Sequence, residues 1–146
     1  MKKLILIIAL TVGMITVASA QLNTRSIGAR LGYNLEATYQ HPMGDMNRLE
    51  VTAGLASFKY VTATASYQWI FELPSNFGWY AGIGATTWLT GGFNIGAMGV
   101  IGIQYDLEPV TNLPLSLSID YRPGYYFLND GGRSLNDTAL SIRYKF

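Results

Sequence analysis

His41 is the single histidine of the 146-residue chain, and cysteine is absent, so disulfides and Cys-based metal sites have no ligands to draw on. Any Ser/His chemistry would have to run through His41. It stands beside Pro42 in a stretch, His41 to Asp45, whose Pro and Gly read as a turn, and a solvated turn residue is the ordinary expectation for it. No G-x-S-x-G elbow, H-E-x-x-H pair or P-loop occurs. Gly82, Gly84 and Gly96 sit in mid-strand patterns with no helix start behind them, so they read as packing glycines rather than a phosphate cradle. What remains is a set of charged side chains: Arg30, Glu36, Arg48, Glu50, Asp120, Arg122 and Arg143. Both signs are present in nearly equal number. Such a set can pair with itself, or it can form a binding site or gate.

The segments that carry these charges alternate strictly. In 26–40, Ile27, Ala29, Leu31, Tyr33, Leu35, Ala37 and Tyr39 take one face of an extended strand, and Ser26, Gly28, Arg30, Gly32, Asn34, Glu36, Thr38 and Gln40 take the other. The same period runs through 47–57, 61–71, 79–87, 94–107, 115–122 and 138–146. The run 94–107 is the least regular, because Met98 and Val100 fall on the polar face. That makes seven strands. An antiparallel barrel closed by its own first and last strands needs an even number, so eight are expected, with the eighth placed on the aromatic segment Tyr125 to Leu128; an odd barrel with one parallel closing pair stays open.

The two faces differ in composition. The polar face holds all seven charges and collects glycine at Gly28, Gly32, Gly54, Gly82, Gly84, Gly96 and Gly102. Glycine weakens a strand and gives nothing to water, but a narrow barrel lumen needs it to make room for long side chains. The other face is aliphatic, with Tyr39, Tyr67, Trp69, Phe71, Trp79, Tyr105 and Tyr121 set near strand ends as an aromatic girdle, and it carries no charge within the seven strands. Central lipid-facing Arg or Lys costs about 2–4 kcal/mol in membrane barrels. The expectation is therefore an all-β, closed, antiparallel up-and-down transmembrane barrel of eight strands, apolar outside and charged inside.

The final strand is the most specific feature. Leu140, Ile142, Tyr144 and Phe146 share one face and the chain stops on the aromatic. Thr138 to Phe146, with Ser66-Tyr67-Gln68-Trp69-Ile70-Phe71 and the run from Pro114 to Pro123, resembles small single-chain bacterial outer-membrane β-barrel proteins of the eight-stranded type, over the whole of 21–146. That resemblance implies insertion by the outer-membrane barrel assembly machinery, with Leu140, Ile142, Tyr144 and Phe146 as the assembly signal. It implies no shared activity, although a few such barrels are lipid-modifying enzymes.

The N-terminus agrees with that destination. Met1-Lys2-Lys3, the apolar run Leu4 to Val17 and Ala18-Ser19-Ala20 have the layout of a cleavable secretory signal over 1–20, leaving one domain over 21–146. Without Lys2 and Lys3, the 10 basic side chains fall to 8 against 9 acidic ones, which gives no argument for nucleic acid. The expected setting is the outer membrane of a Gram-negative bacterium. The expected protein is a monomer among outer-membrane lipids, touched transiently by the secretion and assembly machineries, with no cofactor and no enzymatic activity. An eight-stranded interior is just wide enough for its own side chains, so the role expected is structural or interactive, without a wide pore; the alternative is a lipid-modifying enzyme or a carrier of small hydrophobic ligands.

Overall fold

The computed structural model describes residues 23–128 and 131–146; the expected signal segment, 1–20, lies outside the described residues. The elements follow in the order β1 (Ser26–Gly32), β2 (Asn34–Pro42), β3 (Asn47–Ala56), β4 (Tyr60–Glu72), β5 (Phe77–Trp88), β6 (Asn94–Asp106), α1 (Glu108–Thr111), β7 (Leu115–Tyr121), β8 (Gly124–Tyr126), β9 (Arg133–Ser134) and β10 (Thr138–Lys145). They close into an eight-stranded antiparallel up-and-down barrel. Strands β1 to β7 pair in succession, β7 pairs with β10, and β10 pairs antiparallel with β1.

Ten segments make eight staves because two staves are interrupted. β7 and β8 lie on one register against β6, with Asp120 opposite Gly102 and Gly124 opposite Met98. Pro123 separates them, since it has no amide hydrogen for the ladder; its carbonyl still accepts from the Gly99 amide at 2.8 Å. β9 and β10 form the last stave. Ser134 pairs opposite Gly124 in β8, but Thr138 pairs opposite Tyr121 in β7, so one extra residue is absorbed between them as a bulge.

The run 26–40, expected as one strand, is two. The chain reverses at Gly32-Tyr33-Asn34, with Leu31 facing Leu35 and Ile27 facing Tyr39. Residues directly opposite each other in an antiparallel pair point to the same side. A three-residue turn keeps odd numbers opposite odd numbers, so the alternation passes through the reversal undisturbed. This hairpin supplies the eighth stave. The segment Tyr125 to Leu128, expected to do so, instead contains the end of the seventh, and the antiparallel β1–β10 pair removes the odd-barrel alternative.

Burial follows the alternation. Arg30, Arg48, Arg143, Gln40, Gln68, Gln104 and Glu50 are among the largest fully buried side chains, whereas Ile83, Leu140, Ile101 and Ile119 are more than half exposed. Met98 and Val100, the irregular residues of β6, point inward and join Ile70 and Tyr80 in a small apolar cluster. Tyr80 sits opposite Gly102, and a Cβ on Gly102 would lie 2.6 Å from the Tyr80 ring carbon Cζ. Glycine is thus the residue that lets the ring lie inside the barrel.

The connections β2–β3, β4–β5 and β6–β7 share one end with both described termini. There the Asn23 amide donates to the Gly44 carbonyl at 2.5 Å, the Ile70 amide to Met46 at 2.8 Å, the Asp106 amide to Asn76 at 2.9 Å and the Phe146 amide to Arg25 at 2.9 Å. The opposite mouth is ringed by the turns of the β1–β2, β3–β4, β5–β6 and β8–β9 hairpins.

Candidate functional site

Six of the seven charged residues singled out in the sequence meet in one bonded network across the interior. Arg30, on β1, donates through Nε and Nη2 to Asp120 Oδ1 at 2.9 and 2.7 Å, and through Nη1 to Glu36 at 2.8 Å. Arg30 and Glu36 sit directly opposite in the β1–β2 register, so neighbouring strands place them together. Arg122 continues the chain from Glu36, at 3.4 Å, to Glu50. Arg143 then holds the second Glu50 oxygen at 3.0 Å and the Ser118 hydroxyl at 2.5 Å. Gln40 donates to Glu50, and Thr52 to Glu36 at 3.2 Å.

Arg48 stands apart. It is fully buried, yet among the described residues no carboxylate lies within ion-pair distance of it. Its Nε and Nη1 donate to the side-chain oxygens of Gln68 and Gln104, both at 2.7 Å, and its guanidinium lies 4.5 Å from the Tyr80 ring centroid. Two amide oxygens and the negative face of an aromatic ring therefore replace a counter-ion.

Five participants were outside the sequence-derived set. Asp137 accepts from Arg30 at 2.7 Å, on the inward phase that β10 continues. Tyr80 donates its hydroxyl to Asp120 at 3.0 Å. Near the other end, Lys145 binds Asp106 and Glu108 at 2.8 and 2.7 Å, tying the last strand to α1. Asp106 and Lys145 alternate in phase with the other inward residues, so their period was a usable signal. Asp137 keeps the same phase as Ala139, Ser141 and Arg143 but lies one residue before β10, outside the expected strand 138–146.

The carboxylates Glu36, Glu50 and Asp120 each face at least two positive or hydroxyl donors. Such an arrangement braces the strands against one another and fills the tube, and it leaves each of these acids engaged. His41, expected in a turn, belongs instead to β2, opposite Leu49. Its ring bonds the Tyr39 hydroxyl at 3.2 Å. Pro42 ends the strand one residue later, which is why the turn signal sat so close.

The outer surface carries the remaining sequence-derived residues. Leu140, Ile142, Tyr144 and Phe146 line up on the outside of the last stave, each at least 44% exposed. Tyr39, Tyr67, Trp69, Phe71, Trp79 and Tyr105 lie on the half of the barrel nearest the chain termini, joined by a Phe71–Trp79 stack at 4.3 Å and a Tyr67–Trp69 edge contact at 5.2 Å. Tyr121 is not with them; it lies mid-stave, opposite Ile101. The opposite mouth has its own exposed aromatics, Tyr33, Phe58, Phe93, Tyr125 and Phe127, most of them in turns where no alternation flags them. The chain matches no protein-family model, and no curated protein is significantly similar to it.

Proposed function

We propose that this chain is an integral outer-membrane β-barrel of a Gram-negative bacterium, with a structural or interaction role and a narrow, side-chain-filled interior that offers no wide pore. The observation that carries the reading is the inversion of its two faces. Most of the arginine, glutamate, glutamine and threonine of the strands is buried, while isoleucine, leucine and valine other than Ile70 and Val100 lie on the outside. In water each exposed Ile or Leu would forgo about 1.5–3 kcal/mol of burial, whereas in hydrocarbon that same surface is solvated. On the outward positions of β1–β8 and β10 there is no Lys, Arg, Asp or Glu; Arg133, on β9, stands at the mouth. Aromatic side chains gather toward both ends of an aliphatic band, as the two bilayer interfaces favour. Closure leaves no unpaired strand edge, a requirement for any sheet in lipid.

In this reading Leu140, Ile142, Tyr144 and Phe146 form the edge that the assembly machinery recognises during insertion, where main-chain pairing gives affinity and alternate side chains give specificity. The test has two arms. The chain is refolded from denaturant into detergent micelles and into buffer, and unheated gel mobility and protease resistance are compared. Folding only in detergent, with a heat-sensitive mobility shift, is the expected result; a protease-resistant monomer in plain buffer would overturn the membrane reading. In cells, deletion of Phe146 should lower the heat-modifiable protein in outer-membrane fractions while leaving refolding into detergent nearly intact. Ser141→Ala, on the inward face, should do neither.

A further inference from the structure

At the mouth opposite the chain termini, the interior opens into a cup of about 330 Å³, near the lower bound of the roughly 300–1,000 Å³ found for small-molecule sites. One wall is aromatic. Trp88 lies flat against Tyr60, with 5.4 Å between centroids and 2° between planes, and is tilted by 52° to Tyr126 at 5.0 Å. Trp88 Nε1 donates to the Tyr126 hydroxyl at 2.9 Å. The polar atoms of this pair are therefore engaged with each other, and what it presents to the cup is ring surface.

The rest of the lining is different in kind. The Ser134 hydroxyl, the Asn136 amide and the Arg133 guanidinium line the cup and have no hydrogen-bond or ion-pair partner among the described residues. Asn94 accepts from the Leu128 amide at 3.0 Å through Oδ1, which leaves its own side-chain nitrogen unpaired among the described residues. An acyl chain seated here would cover these groups without bonding any of them. A ligand that fits both halves needs a C–H face for the rings and several hydroxyls for the amides and the serine.

We propose that this mouth pocket binds a small saccharide, and that Arg133 makes it favour one bearing a carboxylate. The ring face of the sugar lies on Trp88 and Tyr126, its hydroxyls meet Asn94, Ser134 and Asn136, and an acidic substituent pairs with Arg133. The site is built from the mouth of the barrel alone, so it holds whether the outer surface meets lipid or water.

The test uses the full chain folded in a zwitterionic detergent without sugar headgroups, titrated calorimetrically with glucuronate and with glucose at low salt. Saturable binding of both is expected, with glucuronate about tenfold tighter, the scale of one added charge-assisted hydrogen bond. Arg133→Gln should bring glucuronate to the glucose value. Asn136→Ala should weaken both sugars, and both variants should keep the parent gel mobility, since these side chains are exposed. Absence of saturable binding of either sugar by the folded parent would overturn the proposal. So would unchanged affinity in the Arg133→Gln, Asn136→Ala double variant, or displacement of bound sugar by a medium-chain fatty acid.

Discussion

Viewed down the axis, β1, β2, β3, β7 and β10 supply Arg30, Glu36, Arg48, Glu50, Asp120, Arg143 and Lys145 to the interior, whereas β4, β5 and β6 supply Thr, Ser, Gln, Gly and the Ile70, Tyr80, Met98 and Val100 cluster, with one buried charge, Asp106, at the very end of β6. The charged arc carries the guanidinium arms, and the neutral arc sets glycine, serine and threonine between a few large uncharged residues. A tube of fixed radius cannot hold long side chains on every wall. Arg48 accordingly reaches across from β3 to Gln104 on β6, while the space beside Gly102 is taken by the Tyr80 ring. The charged arc neutralises itself mainly among its own strands, while the neutral arc contributes space, amide oxygens and the Tyr80 ring.

The largest effect should come from removing an acid of the charged arc. Glu50→Ala leaves Arg122 and Arg143 without a shared counter-ion in a buried setting, and about 3–5 kcal/mol should be lost, read as a lower urea midpoint for the barrel in lipid. A cost below 1 kcal/mol would mean that water screens the network. Next comes the outward side of the neutral arc. Ile101→Arg should cost about 2–4 kcal/mol in a bilayer, against much less for the inward Thr64→Ala; equal costs would mean that the faces are misassigned.

Gly102→Ala should follow, at about 1–3 kcal/mol, because the new methyl presses on Tyr80 and on the Asp120 side chain. Thermal midpoints of Gly102→Ala and of Gly102→Ala with Tyr80→Phe should differ little, since the clash involves the ring as well as its hydroxyl. The smallest effect is expected at Arg48. Replacing this unpaired arginine by methionine removes its desolvation cost along with two hydrogen bonds, so stability should change by less than about 1 kcal/mol in either direction. That near-neutrality, set against Glu50→Ala, separates a bridging arm from a member of the charged network.

Much of this contrast was legible in the sequence, because period-two alternation reports a face directly and charge content then tells the faces apart. Arg30, Glu36, Arg48, Glu50, Asp120, Arg122 and Arg143 all lie inside for that reason. Alternation says nothing of where a strand reverses, so the turn at Gly32-Tyr33-Asn34 was hidden within an unbroken pattern. It also says little about where a strand begins, and Asp137, one residue before the expected 138–146 but in phase with it, was missed there. The mouth pocket was illegible for a third reason: Trp88, Asn94, Tyr126 and Ser134 come from neighbouring staves, and alternation does not report the register that sets Trp88 opposite Asn94 and Gly124 opposite Ser134.

The single phase shift before β10 bears on how such a chain tolerates length changes. In each of the β1–β2 through β8–β9 hairpins, even residues face even and odd face odd. Gaining or losing one residue inside a paired strand would exchange inside for outside over the rest of that strand, driving its charges outward, unless a compensating bulge restored the phase. Gains or losses of two would pass unnoticed. Insertions surviving within the paired strands of this barrel should therefore come in even numbers, and an odd one should be found with a bulge nearby, as already happens between Ser134 and Thr138.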